Sequence, residues 1–208
     1  MRNKGQMFII AAVILIAVLI ILKTGVNLPD IIQRNRELEG KFEHDFFVNI
    51  VDELKKTIDI SYHQPSNITN NVYNFANFTR KKMTERLQDF QFLYLSCITP
   101  ASSGSDIINI SVINLLNKPI NLTIQMNSSP TQSDNKDNMI DKSKWDTNFT
   151  ITQGNIYILT VSYNGTYEEN ITIITKVNRS VYVGFFDIVL AGSETTYKDK
   201  FQKSYTLP

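Results

Sequence analysis

The chain has 208 residues, of which 42% are hydrophobic, 11% aromatic and 20% charged, so it is neither a disordered nor a fibrous polymer and has room for one domain plus an appendage. Its 21 basic and 20 acidic side chains leave a net charge of +1, which argues against the basic surface that nucleic acid requires. One cysteine, Cys97, excludes a disulfide framework within the chain, and two histidines, His44 and His63, are too few for the usual metal sites or histidine catalysis.

Residues 7–22, MFIIAAVILIAVLIIL, are 16 apolar residues without a break, preceded by Arg2 and Lys4 and followed by Lys23. As a helix they span about 24 Å at 1.5 Å per residue. With Gln6 at one interface, Lys23 snorkelling at the other and Val26 and Leu28 continuing the apolar character, residues 6–28 are expected to form a transmembrane helix. The basic leader, residues 1–5, puts the N-terminus in the cytoplasm and the rest outside, with the membrane as a partner. A cleaved secretory signal fits less well, because Leu-Lys-Thr-Gly-Val-Asn offers no small-x-small site; an uncleaved signal anchor is the plain alternative.

Met-Arg-Asn-Lys-Gly-Gln at residues 1–6, set directly before the apolar run, resembles the class III signal peptide of archaeal type IV pilin-like proteins. The resemblance covers about residues 1–25. It implies cutting between Gly5 and Gln6 by a prepilin-type peptidase, retention of the apolar helix and packing against other pilin-like subunits. Many members carry a glutamate as the fifth residue of the mature chain; here that residue is Ile10.

Pro29 and Asp30 suit a helix start. Apolar residues at Ile31, Leu38, Phe42, Phe46, Phe47, Ile50, Val51, Leu54 and Ile58 step by three and four, which predicts an amphipathic helix to about residue 60. A loop at His63–Ser66 and a second helix over about 70–95 complete an antiparallel helical stalk, residues 29–99. Pro100–Ser105 reads as a linker. Beyond it the period changes to two. Strands are expected at 106–116, 119–126, 148–152, 155–163, 167–177 and 180–190, with Asn164-Gly165 as a hairpin turn. Residues 106–208 are therefore expected to form an antiparallel β-sandwich of immunoglobulin-like type, giving an α+β fold overall. Residues 127–147 read as a polar insertion carrying Trp145, and 193–208 as a polar tail.

The sequence Asn-x-Ser/Thr occurs nine times, at Asn67, Asn77, Asn109, Asn121, Asn127, Asn148, Asn164, Asn170 and Asn178, where composition alone gives about three. Strand alternation accounts for some, since a polar residue recurs two positions on. The set is read as candidate glycan acceptors on an exterior domain. Asp134, Asp137 and Asp141 lack calcium-loop spacing, and neither a metal nor a cofactor is expected. No nucleophile elbow, phosphate loop, dinucleotide fingerprint or His-Glu-x-x-His is present, so the chain is not read as an enzyme. Glu168-Glu169 reads as a charged strand end, and Cys97 as a buried free thiol. The expected function is a single-pass pilin-like cell-surface protein displaying a β-domain for adhesion or surface contact. The alternative is a signal-anchored binding or envelope module that enters no filament.

Overall fold

The computed structural model describes residues 3–25, 28–62, 65–102, 104–165, 167–192 and 195–207. Arg2 of the basic leader, Val26, the His63–Gln64 loop, Ser103 of the linker and Thr166 of one sequon lie outside the described residues. The chain divides into two compact units, Met1–His44 and Asp45–Pro208.

The first unit holds helix α1 (Asn3–Gly25) and the start of helix α2 (Leu28–Ser61). Pro29 and Asp30 stand in the first turn of α2, where a missing N–H costs nothing and a negative charge meets the positive end of the helix dipole. From Ala11 to Ile20 every side chain of α1 is apolar. Phe8 is 79% exposed, and Val13, Ile14, Leu15, Ile16, Val18, Leu19 and Ile20 are also exposed. Among the described residues no helix is long and apolar enough to cross a membrane. This overturns the expected transmembrane helix over 6–28, and with it the single-pass topology and localisation. The reason is length: the apolar run of about 24 Å falls short of a hydrocarbon core of about 30 Å, and α1 closes at Gly25 with Lys23 exposed.

The second unit is a sandwich of two antiparallel sheets with helices on one outer face. Its strands are β1 (Asp89–Thr99), β2 (Ser105–Leu115), β3 (Ile120–Met126), β4 (Gln132–Met139), β5 (Ser143–Thr152), β6 (Ile156–Tyr163), β7 (Tyr167–Ile174), β8 (Val181–Ala191) and β9 (Thr196–Thr206). One sheet runs β5-β2-β1-β8-β9 and the other β4-β3-β6-β7. Leu93, Leu95, Cys97, Ile108, Ile110, Val183 and Phe185 face the second sheet, meeting Leu122, Ile124, Leu159, Val161 and Ile171. The intervening residues, Phe90, Phe92, Tyr94, Tyr182, Phe186 and Ile188, face the helices. There they meet Phe47, Ile50, Val51, Leu54 and Ile58 of α2, and Ile68, Val72, Ala76 and Met83 of helix α3 (Pro65–Glu85). β1 and β8 are thus apolar on both faces because both faces are covered. The hydroxyls of Tyr94 and Tyr182 satisfy each other at 2.9 Å in this dry layer, and burial pushes Tyr94 up to about 12.

Several expected elements differ. The second stalk helix, expected to reach residue 95, stops at Glu85, and residues 89–99 are a central strand. The paired helices form no free-standing stalk but lie on the sheet. Pro100–Ser105 joins β1 to β2 inside one sheet. The polar insertion carries β4 and the start of β5, and the polar tail is β9.

The sandwich is closed on both open sides by a glutamine. Gln132 of β4 donates Nε2–H to the Thr150 carbonyl at 2.7 Å and accepts the Thr150 N–H at 2.7 Å. Gln202 of β9 treats Thr172 of β7 alike, at 2.7 and 3.3 Å. Each carboxamide takes the place of a backbone partner on a strand that has none on that side.

Candidate functional site

The site residues expected from the sequence fall into two groups. Gly5 and Gln6 lie within the backbone of α1. The nine sequon asparagines all belong to the second unit, and every one is exposed. Four of them turn Oδ1 toward the protein. Asn121 accepts the Asn138 N–H at 2.9 Å, Asn127 the Ile158 N–H at 2.6 Å, and Asn170 the Thr160 hydroxyl at 2.8 Å. Asn164 likewise accepts the Asn121 N–H at 3.2 Å. A glycan attaches at Nδ2 and leaves Oδ1 an acceptor, so these bonds are compatible with modification. Asn109 of β2 and Asn148 of β5 stand directly opposite each other across the strand pair.

The other expected positions have structural partners. Asp141 forms a two-pronged ion pair with Arg80 at 3.0 and 2.8 Å. Burial alone would lift the Asp141 carboxyl, but the Arg80 guanidinium outweighs it and holds the carboxyl below its usual range. Asp134 accepts the Thr147 hydroxyl at 2.5 Å. Trp145 is half-buried against the inter-sheet core, and Cys97 is buried there. Burial pushes the Cys97 thiol up, away from the thiolate that reacts. Among the described residues no group of three His, Cys, Asp or Glu could hold a metal ion.

A polar cluster that the sequence analysis missed lies at a cleft of about 270 Å³ lined by Leu116, Tyr163, Tyr167, Asp187 and Lys200 among others. Asp187 is 6% exposed, a lone carboxylate on the otherwise apolar β8. The Tyr163 hydroxyl donates to Asp187 Oδ2 at 2.5 Å. Lys200, the partner of Asp187 in the β8–β9 register, brings Nζ to 3.5 Å from the same oxygen. Nζ also donates to the carboxylate of Glu169, on β7 of the other sheet. The rings of Tyr163 and Tyr167 stack at 4.9 Å, and Lys200 Nζ lies 5.7 Å over Tyr167. Burial, then the neighbouring Asp187, pushes the Tyr163 phenol far up, so it is a donor at any ordinary pH. For Lys200, burial lowers the amine, but Glu169 and Asp187 outweigh it and raise it above its ordinary value. The arrangement brings an amine against two carboxyl groups, one of them buried and held by a phenol. The signal in the sequence was the acid within Val-Gly-Phe-Phe-Asp-Ile-Val, a residue type rarely fully buried without a partner.

Comparison with family models, with curated proteins and with solved structures returns no match for the chain.

Proposed function

We propose that the chain is a pilin-like structural subunit, in which α1 assembles with α1 of further copies and the β-domain is what the assembly presents for adhesion or surface contact. The observation that carries this is the apolar surface of α1 on every side. Val13, Ile14, Leu15 and Ile16 are consecutive and exposed, and at 100° per residue they point around the full circumference. Leu38 and Phe42 of the same unit are exposed as well. Burying each such side chain gains about 1.5–3 kcal/mol, so a helix that is apolar all round belongs inside a bundle. The resemblance of residues 1–25 to pilin-like leaders supports the same reading, and makes Gly5–Gln6 the point at which a prepilin-type peptidase would cut.

The test is sedimentation of the full chain beside the variant Leu15→Lys/Leu19→Lys. The parent is expected to sediment as multimers. The variant is expected to sediment as a monomer with unchanged circular dichroism. A monomeric parent, or multimers of equal size in the variant, would overturn the proposal.

A further inference from the structure

We infer that Asp187 and Lys200 are the two halves of an intramolecular amide cross-link between β8 and β9, with Glu169 as the proton carrier and Tyr163 as the donor that holds the reacting carbonyl. The inference stands apart from the assembly of α1.

Five observations converge. Asp187 and Lys200 are direct cross-strand partners, a position that sets their β-carbons about 5 Å apart and lets a lysine reach across to a short carboxylate. Nζ already lies 3.5 Å from Oδ2, an oxygen bonded to the carbon it would attack, so the amine is held beside the carboxyl group. The Glu169 carboxylate touches the same Nζ from the other sheet, so a base is on the amine. The Tyr163 hydroxyl is 2.5 Å from Oδ2, where negative charge would gather on addition. Asp187 and Tyr163 are 6% and 4% exposed, so little water competes at the carbonyl carbon.

The step balances without any added reagent. The Lys200 ammonium gives one proton to Glu169 and its nitrogen adds to Cγ of Asp187. Oδ2 carries the developing charge against the Tyr163 O–H. The other carboxyl oxygen takes the proton back from Glu169 and a second proton from the nitrogen, and leaves as water. One ammonium and one carboxylate become one neutral amide and one water, and Glu169 ends as it began. In solution such a condensation runs backward. Held partners have effective concentrations on the order of 10⁵ M or more, which favours the bond.

The experiment weighs the full chain, produced in a host that does not attach N-glycans, against Lys200→Arg and Glu169→Gln. The parent is expected to be lighter than its sequence by one water, about 18 Da, and both variants to carry their full sequence mass. In a tryptic digest of the parent, Lys200 is expected uncleaved, joined in a branched peptide to the segment containing Asp187. A parent at full sequence mass would overturn the inference, leaving the cluster an ion pair. A deficit that persists in Lys200→Arg would also overturn it. The branched peptide is read on the parent itself, so poor folding of a variant leaves the test intact.

Discussion

Asn114 does more for the β-domain than any motif in its sequence suggests. It is fully buried near the end of β2, and its Nδ2 donates to the carbonyls of Lys118, Met139 and Ile140 at 3.0, 2.8 and 3.2 Å. Its Oδ1 accepts the Leu116 N–H at 3.0 Å. One side chain thus ties the β2–β3 turn to the β4–β5 turn through backbone groups of both. Asn114→Ala is expected to lower the unfolding free energy by about 2–4 kcal/mol, because it strands the buried Met139 carbonyl and Leu116 N–H and leaves a small void. Denaturant titration checks this, and a change below about 0.5 kcal/mol, the scale of a surface substitution, would contradict it. Gly184 shows the same economy of space. A β-carbon there would run into the Tyr182 hydroxyl and come within 2.9 Å of the Phe186 ring, so the aromatic layer closes only over a glycine.

At the scale of elements, the end of α3 explains the largest misreading. Gln88 N–H bonds the Met83 carbonyl at 3.0 Å and Leu87 N–H the Thr84 carbonyl at 3.1 Å, the paired bonds that close a helix on a left-handed residue. That residue is Leu87, at φ 59° and almost wholly exposed, where glycine is the usual choice. Leu87→Gly is expected to stabilise the chain by about 1 kcal/mol, since it removes left-handed strain and no packing. A thermal melt reads it, and a lower Tm would refute the strain argument. With a leucine in this place, nothing in the sequence marks a stop before β1. Phe90, Leu93 and Leu95 fit helical and strand spacing alike when both faces are apolar. The Asn164-Gly165 hairpin, with positive φ at both residues, was legible because its turn chemistry is local. β4 was not, because most of its residues are exposed and polar; its pairing with β3 makes it a strand. The Asp187 cluster was illegible for a related reason, since its four members come from β6, β7, β8 and β9.

For the whole molecule, the exposed sequons and the exposed apolar helix belong to different units. Asn109 and Asn148 face each other on neighbouring strands, too close for two branched sugars side by side. Peptide mapping of the natural protein is expected to show a glycan on one of the two in any molecule, and a chain beginning at Gln6. Peptides with both sites filled would contradict the first expectation, and a chain beginning at Met1 the second. The two glutamines have a consequence for how the domain breathes. A sandwich ordinarily loosens first where an outer strand leaves its sheet and admits solvent. Here Gln132 and Gln202 seam each such strand to the opposite sheet, so the sides of the domain open only when the sheets themselves part. The β-domain is then, in effect, a tube flattened rather than two sheets stacked. At Thr150 and Thr172 the strand edges therefore offer a neighbouring chain no free backbone pair to extend.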